Sequence, residues 1–444
     1  MSVDDRLTRL ESSVWQAQLW MLCQTVLIVA LLIRAACGND ADLANADRQQ
    51  FPPELWPSIY YASIEHVAAD DRVDLETALR LVIPSTSRQV VLERCLPVQV
   101  GPTLYRLHLD QLQWSPSAWQ RVIARHPYTA ADNPLMVRGD WLLLELADSH
   151  NSDAYYSLLF GDLRTREAVL ASLGVDANVS HRIGLIEGAS TVSVQGVRWI
   201  ENRPVARGYA WLTRDATKLD AQSDMLERPD GSFQHDGEEI IVGIRKVHLR
   251  TGTQGALQVY FLANGQGTLV GRAPVDLVAD HTHFRGLREI RAPGSCVQCH
   301  DTGLNPLKRN ELRHYVESGV EAYARDERIE AFHFAELETE RLRNSSDFQA
   351  MVSQATGVES SEAAQRFRSA VGRYDRRLEL QDAARELRTT PNELRLALGW
   401  AAANGYELGA RVSGLAHGEQ IPRAAWEQSY LTCNAIVADW RSKR

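Results

Sequence analysis

Five consecutive residues, Cys296-Val297-Gln298-Cys299-His300, constrain this chain more than any other segment, because they place two thiols and an imidazole on one short stretch. With six Cys and 13 His in 444 residues, chance placement gives a C-x-x-C-H pattern with a probability of about two in a thousand. In c-type cytochromes such thiols bond to a porphyrin and the imidazole binds its iron. The pattern therefore predicts one covalent haem c, attached at Cys296 and Cys299, with His300 as the proximal iron ligand.

A bare C-x-x-C also occurs in zinc sites and in thioredoxin-like redox pairs. A zinc site normally has a second Cys or His pair at short spacing, but the next cysteine after the motif is Cys433. A redox pair follows a strand and begins a helix, whereas residues 291–295 (RAPGS) indicate a turn. The zinc-binding structural module and the redox pair remain as alternatives to haem.

Covalent haem attachment of this type takes place outside the cytoplasm, so the chain should carry an export signal. The run Leu19–Ile33 is apolar and uncharged, and its length is that of a signal-peptide core or a short membrane anchor. Residues 1–37 are thus predicted to be a signal peptide or an anchor. Membrane attachment is expected through residues 14–33 or through lipidation at Cys37, and the predicted location is periplasmic or otherwise extracytoplasmic.

Two cysteines are left outside the leader and the motif, Cys95 and Cys433. An oxidising compartment permits a disulfide between them, and two buried free thiols are the equally supported alternative. The formal net charge of −9 argues against a nucleic-acid partner. The expected partner is an unidentified redox protein.

Hydrophobic patterning divides the chain into five segments and predicts an α+β fold. The segments are a leader at residues 1–37, a polar linker at 38–52, an N-terminal α/β domain at 53–180, a β-rich domain at 181–285 and a helical, cytochrome c-like haem region at 286–444. The β-rich segment should form an antiparallel sheet of four to six strands, because alternating and β-branched runs recur along it.

Several local signals within these segments predict individual elements. Ser115-Pro116 and Thr165 are typical of helix starts, and Gly174 stands where a helix should end. Asn264-Gly265 predicts a hairpin. In the tail, Thr390 and Glu393 have the spacing of a capping box. A further tail helix is predicted at residues 306–317, and residues 141–146 fit either a strand or a helix.

The sequence also resembles a large family of bacterial monohaem c-type cytochromes. The likeness is carried by residues 234–241 (QHDGEEII), 255–265 (GALQVYFLANG), 295–303 (SCVQCHDTG) and 308–313 (KRNELR), and more weakly by 103–127 and 378–430. The resemblance implies an α/β region, a sheet, a single haem motif and a helical tail. It further implies haem binding and electron transfer.

The sixth iron ligand is left open by the sequence. Met351 is the only methionine after the motif, and His235 precedes a predicted strand within the family-like segment. The remaining possibilities are an open site or one of four other histidines, namely His281, His283, His314 and His333. A filled position limits the iron to passing electrons, whereas an open one permits a haem sensor or a peroxidase-like enzyme.

One pair of neighbouring carboxylates needs separate consideration. Glu238 and Glu239 are adjacent in a predicted strand, where successive side chains point to opposite faces of a sheet. A hydrolytic acid–base pair is therefore not expected from them.

Overall fold

The structure is a computed structural model. It describes residues 39–128, 135–175, 182–187, 192–193, 197–205, 208–217, 228, 232–306, 336–406 and 408–443. Helices and a small mixed sheet come first, an antiparallel sheet follows, and a helical region closes the chain. The predicted α+β class is confirmed.

The N-terminal region is built on a four-stranded mixed sheet. Its strands are β1 (Ile59–Ser63), β2 (Val98–Gln99), β3 (Leu104–His108) and β4 (Met136–Arg138), in the order β2-β3-β1-β4. Strand β1 is antiparallel to β3, with Tyr61 opposite Arg106, and parallel to β4. Every residue of β1 is buried, which fits its central position.

Helices pack around this sheet. They are α1 (Asp40–Arg48), α2 (Ala69–Ser85), α3 (Leu92–Cys95), α4 (Leu109–Leu112), α5 (Pro116–Ile123), α6 (Gly139–Ala147), α7 (Ala154–Phe160) and α8 (Arg166–Ser172). Ser115 and Thr165 cap α5 and α8 through their side chains, as predicted. Gly174 follows α8 at φ +77°, a backbone conformation that favours glycine. Residues 141–146 lie in α6 and are therefore helical.

Helix α1 occupies most of the segment that was predicted to be a polar linker. Asn39 caps the helix by accepting from the backbone N–H of Asp42. The buried Asp40 carboxylate accepts hydrogen bonds from Ser63 and Thr103 of the body. Residues 40–48 of the predicted linker are therefore helical, and Asp40 binds partners in the sheet region rather than solvent.

A six-stranded antiparallel meander forms the middle of the molecule. Its strands are β5 (Arg182–Glu187), β6 (Val197–Val205), β7 (Gly208–Asp215), β8 (Gly237–Val247), β9 (Gln254–Asn264) and β10 (Leu269–Val270), and each pairs with its sequence neighbours. This confirms the predicted sheet of four to six strands. The Asn264-Gly265 turn joins β9 to β10, because Asn264 pairs with Thr268 and Gly267 across it.

A short two-stranded ladder and one helical turn follow the meander. The ladder consists of β11 (Arg272–Ala273) and β12 (Ile290–Arg291), and the helix is α9 (Gly294–Cys299). The C-x-x-C-H motif thus lies on α9 and at its C-terminal end.

The rest of the described chain is helical. Its helices are α10 (Leu337–Thr356), α11 (Ser360–Asp375), α12 (Leu380–Glu386), α13 (Pro391–Ala403), α14 (Ala410–Ala416) and α15 (Arg423–Ser442). Thr390 and Glu393 form the predicted capping box at the start of α13. The helix predicted at residues 306–317 lies almost wholly outside the described residues.

The main hydrophobic core combines the two ends of the chain. Side chains of the N-terminal region, such as Trp119 and Leu142, share one cluster with tail residues such as Phe367 and Trp426. A second cluster lies on the meander and includes Cys296. The motif helix therefore sits where the meander meets the other two regions.

The predicted leader, with residues 14–33 and Cys37, lies outside the described residues. Among the helices that the structure does describe, none has the length and hydropathy needed to cross a membrane. Cys95 and Cys433 are both buried and carry free thiols, so the structure favours the second of the two alternatives for this pair.

Candidate functional site

The two motif thiols lie one turn apart on α9. Cys296 and Cys299 are three residues apart, so they share one side of the helix, and both are free. Cys296 is buried and Cys299 is partly exposed. His300 follows at the C-terminal end of α9 and is also buried. The structure therefore brings the three predicted attachment residues together.

The His300 ring is oriented by a backbone carbonyl. Its Nδ1 lies 3.0 Å from the carbonyl oxygen of Gly303, which is the kind of acceptor that fixes the tautomer of an iron-binding histidine. Gly303 has φ +101° and packs against Ser345 of α10. A side chain at this position would be strained and would clash with Ser345. The Gly303 contact occupies Nδ1, so Nε2 is the ring nitrogen that points away from Gly303.

A buried carboxylate of the meander faces that nitrogen. Oε1 of Glu239, on β8, lies 3.5 Å from Nε2 of His300. The ring of Tyr260, on β9, stacks on the imidazole with ring centroids 5.9 Å apart. His300 is thus held between a hydrogen-bond acceptor on one side and the meander on the other.

An arginine holds Glu239 in place. Arg198 of β6 contacts Glu239 at 3.4 Å and Asp215 of β7 at 2.8 Å. Burial raises the pKa of Glu239, but His300 and Arg198 outweigh burial and lower the pKa to about 2. Glu239 is therefore ionised at neutral pH.

The same carboxylate influences the thiols. Burial, together with the negative charges of Asp280 and Glu239, raises the pKa of Cys299 to about 12. The pKa of Cys296 is raised in the same direction, again chiefly by burial. A thioredoxin-like pair depends on a thiol with a lowered pKa, so this environment does not favour that alternative.

Asp280 organises the loop in front of the motif helix. Its buried carboxylate accepts from the backbone N–H groups of Thr282, His283 and Phe284. It also accepts from the hydroxyl of Ser295 at 2.7 Å. These bonds connect the loop to the first turn of α9 and fix the direction in which the helix leaves it.

Asp148 ties this part of the chain to the N-terminal region. It binds Arg285 at 2.6 Å and Arg291 at 3.0 Å. Arg285 also binds Asp375 of α11. Arg291 immediately precedes the Ala292-Pro293-Gly294 turn, so the motif helix is anchored to the N-terminal region, and its preceding loop is anchored to the tail.

Neither principal candidate for the sixth iron ligand is in contact with His300. Met351 is fully buried in α10 and packs against Gly255 at the start of β9. Gly255 is five residues, or roughly 17 Å, along the strand from Tyr260. His235 has its Nε2 3.1 Å from Glu238, whereas His300 faces Glu239.

The partners of Glu238 and Glu239 are separate, as expected for neighbours in a strand. Glu238 accepts from Arg166 and Arg214, and Glu239 has Arg198 and His300. The adjacency of the two residues in the sequence argues against a catalytic acid–base pair but does not predict the contact of Glu239 with the motif. A charged residue at the start of a strongly apolar strand, as in EEIIVGI, is the signal that points to such a role.

The other histidines are placed as follows. His281 is exposed, and His283 lies in the Asp280 loop with φ +53°. His314 and His333 lie outside the described residues. Within the part of the chain that the structure describes, no group of three or more His, Cys, Asp or Glu side chains is arranged to hold a metal ion.

Comparison of the chain with protein-family models, curated proteins and solved structures finds no match. The resemblance to monohaem cytochromes therefore gains no support from these comparisons. The site has to be interpreted from its own chemistry.

Proposed function

We propose that this protein is a c-type cytochrome that carries one haem, bound to Cys296 and Cys299, and passes single electrons to a redox partner. One observation carries the proposal. Two free thiols lie one turn apart beside a histidine whose Nδ1 is held by the Gly303 carbonyl. Haem c attachment requires two such thiols and an adjacent imidazole.

The surrounding residues have definable roles in this proposal. When bound, the haem supplies one-electron oxidation and reduction. Gly303 holds Nδ1 of the imidazole, so Nε2 is the nitrogen that would bind iron. Asp280 and Ser295 fix the start of the motif helix. Glu239 places a negative charge beside Nε2, which favours the oxidised, more positive state of the group.

The proposed location is outside the cytoplasm. It rests on the apolar run Leu19–Ile33 and on the compartment in which such attachment takes place. Residues 14–33 as an anchor, or lipid on Cys37, would tether the protein to the membrane. The redox partner is proposed to be a protein rather than a nucleic acid, in keeping with the net charge of −9.

Haem staining after denaturing electrophoresis tests the proposal, because only covalent haem remains with an unfolded chain. We expect the wild-type protein to stain and a Cys296→Ala/Cys299→Ala variant not to stain. The matched control is Cys95→Ala/Cys433→Ala, which removes the same number of free thiols away from the motif and should stain like the wild type.

Absence of stain in a wild-type protein exported by a cell that matures c-type cytochromes would reject the proposal. Equal staining of the two double variants would reject the assignment of the attachment residues. Electron transfer further requires that the reduced protein does not bind carbon monoxide, since rapid binding would indicate an open site and a sensor or peroxidase-like role.

A further inference from the structure

The imidazole of His300 is held at one edge and on one face. The carbonyl of Gly303 contacts Nδ1, but hydrogen bonds tolerate some misalignment, so this contact alone allows the ring to tilt. The ring of Tyr260 stacks on the imidazole at an interplanar angle of 25°, and this second contact limits the tilt. The orientation of the imidazole therefore depends on how firmly Tyr260 is held.

Tyr260 is held through both its side chain and its backbone. Its hydroxyl donates to Oε1 of Gln258 at 2.6 Å, and its backbone N–H donates to the hydroxyl of Tyr155 at 3.0 Å. Gln258 and Tyr260 are two residues apart on β9 and share one face of the meander. Both side chains are buried. The phenol of Tyr260 is thus positioned by an amide that lies in the interior of the protein.

The Gln258 amide is held in turn by a tyrosine from another strand. Its Nε2 donates to the hydroxyl of Tyr209, on β7, at 3.0 Å. In the sheet, Gly243 of β8 lies between these two residues and opposite both of them. A Cβ at Gly243 would overlap the ring of Tyr209, so the missing side chain lets the phenol extend across β8 towards β9. The three polar side chains form one connected row that ends on His300.

A polar row of this kind is not needed to fill the interior of the sheet. Each amide and hydroxyl loses its contacts with water on burial, and apolar groups of the same shape can replace a buried hydrogen-bonded pair at little cost in stability. A fully bonded polar network instead makes the arrangement of its side chains rigid and unique. The row therefore contributes a defined position for the ring of Tyr260.

We infer that Tyr209 and Gln258 are positioning residues for the haem site, which act through Tyr260 on the orientation of the iron-binding imidazole. The inference rests on the proposed function, because it concerns the histidine that would bind the iron. Residues that orient a metal ligand also tune the metal, and interactions around an axial ligand are one means by which a protein sets the properties of haem. The meander thereby influences the iron from β7, two strands away from the contact with His300.

Tyr209→Phe tests the inference, because it removes one hydroxyl that is separated from His300 by two side chains. Electron paramagnetic resonance of the oxidised haem protein provides the readout, since the g values depend on the orientation of the axial imidazole. We expect the g values to shift in Tyr209→Phe and to shift further in Tyr260→Leu, which removes the stacked ring.

The matched control is Tyr61→Phe. Tyr61 is a buried tyrosine of the N-terminal sheet whose hydroxyl donates to Asp47 at 2.8 Å. The variant therefore removes the same group from a buried hydrogen bond outside the row. Its g values should coincide with those of the wild type.

A second measurement does not need haem. Histidine labelled with 13C at Cε1 gives one NMR signal for each residue, and the His300 signal is the one that is absent from His300→Gln. In the full chain that carries Cys296→Ala/Cys299→Ala, Tyr209→Phe should shift the His300 signal, because the ring current of Tyr260 acts on the imidazole. Tyr61→Phe should leave this signal in place.

The inference is overturned if Tyr209→Phe leaves the His300 signal where it is in its parent protein. A shift no larger than that caused by Tyr61→Phe would also overturn it, because the effect would then be a general response to a lost hydroxyl. Haem staining of the wild type remains the separate test of the proposed function. If the wild type does not stain, the NMR comparison still decides whether Tyr209 controls the orientation of His300.

Discussion

Oε1 of Glu239 lies 3.5 Å from Nε2 of His300, so the ring nitrogen that does not contact Gly303 faces an ionised, buried carboxylate. The two residues come from different parts of the fold, β8 of the meander and the end of the motif helix. Their contact makes the meander part of the environment of the motif. A single negative charge at this distance affects any cationic centre bound there.

Glu239→Gln should raise the reduction potential of the haem protein. Removing one buried negative charge this close to the iron ligand destabilises the oxidised state, by on the order of 100 mV for an effective dielectric constant near 20. Spectroelectrochemical titration measures the midpoint potential. Glu362→Gln, which removes the same charge from the surface of α11, is the control and should leave the midpoint within the experimental error. An unchanged or lower potential in Glu239→Gln would contradict the assigned role.

Met351→Leu should leave the visible spectrum of the reduced protein unchanged. Met351 packs in the core against Gly255, and Leu conserves its volume, so the expected loss of stability is below about 1.5 kcal/mol. Absorption spectra and denaturant unfolding provide the two measurements. His300→Gln serves as the positive control and should change the spectrum. A spectral change in Met351→Leu would show that this sulfur reaches the iron after all.

Gly294→Ala should destabilise the protein and reduce haem staining. A Cβ at Gly294 would overlap the ring of Phe284 and approach the carbonyl of Ala147, and overpacking of this kind costs about 1–3 kcal/mol. Gly372→Ala is a matched control, because Gly372 lies inside α11 and a Cβ there meets nothing within 4 Å. That variant should be more stable than the wild type by up to about 1 kcal/mol. Thermal unfolding of both variants makes the comparison.

Glu386→Gln should lower the folding stability of the protein by an amount that depends on pH. Burial raises the pKa of Glu386, but Arg138 and Arg423 outweigh it and lower the pKa to about 2, from an ordinary 4.5. The stability due to this carboxylate is therefore complete above about pH 4.5 and disappears as the pH falls towards 2. At pH 7 the free energy of unfolding of the variant should be lower than that of the wild type by about 3 kcal/mol.

Denaturant unfolding between pH 3 and 7 measures this effect. The difference in unfolding free energy between the wild type and Glu386→Gln should become smaller as the pH falls below about 4.5. The surface variant Glu362→Gln should change stability by less than about 1 kcal/mol throughout. A difference for Glu386→Gln that stays constant with pH would mean that the carboxylate is not ionised in the folded protein.

Features that depend on nearby residues could be predicted from the sequence. Thr390 and Glu393 are three residues apart and form their capping box within α13. Asn264-Gly265 forms its turn because both strands of the hairpin adjoin it. The one-turn spacing of Cys296 and Cys299 likewise follows from local helix geometry. In each case the interacting residues are close together in the sequence, so no tertiary contact is needed to bring them together.

Contacts between segments that are far apart in the sequence could not be predicted. The contact between Glu239 and His300 requires the meander to pack on the motif helix, and no local pattern encodes that arrangement. The polar composition of residues 38–52 indicated a tether, yet Asp40 finds Ser63 and Thr103 in the folded body. The pairing of Arg138 with Glu386 spans 248 residues, far beyond any window in which periodicity can be read.

The ion pair between Arg138 and Glu386 also determines how a truncated chain would fold. Arg138 belongs to the first sheet, yet Glu386 and Arg423, which complete its buried charge network, emerge last from the ribosome. A chain that stopped before residue 386 would leave Asp140 as the acidic partner of Arg138 and would lose the Glu386 half of the network. The tail is therefore not a removable appendage, because a chain cut before Glu386 loses both part of this charge network and core side chains such as Trp426.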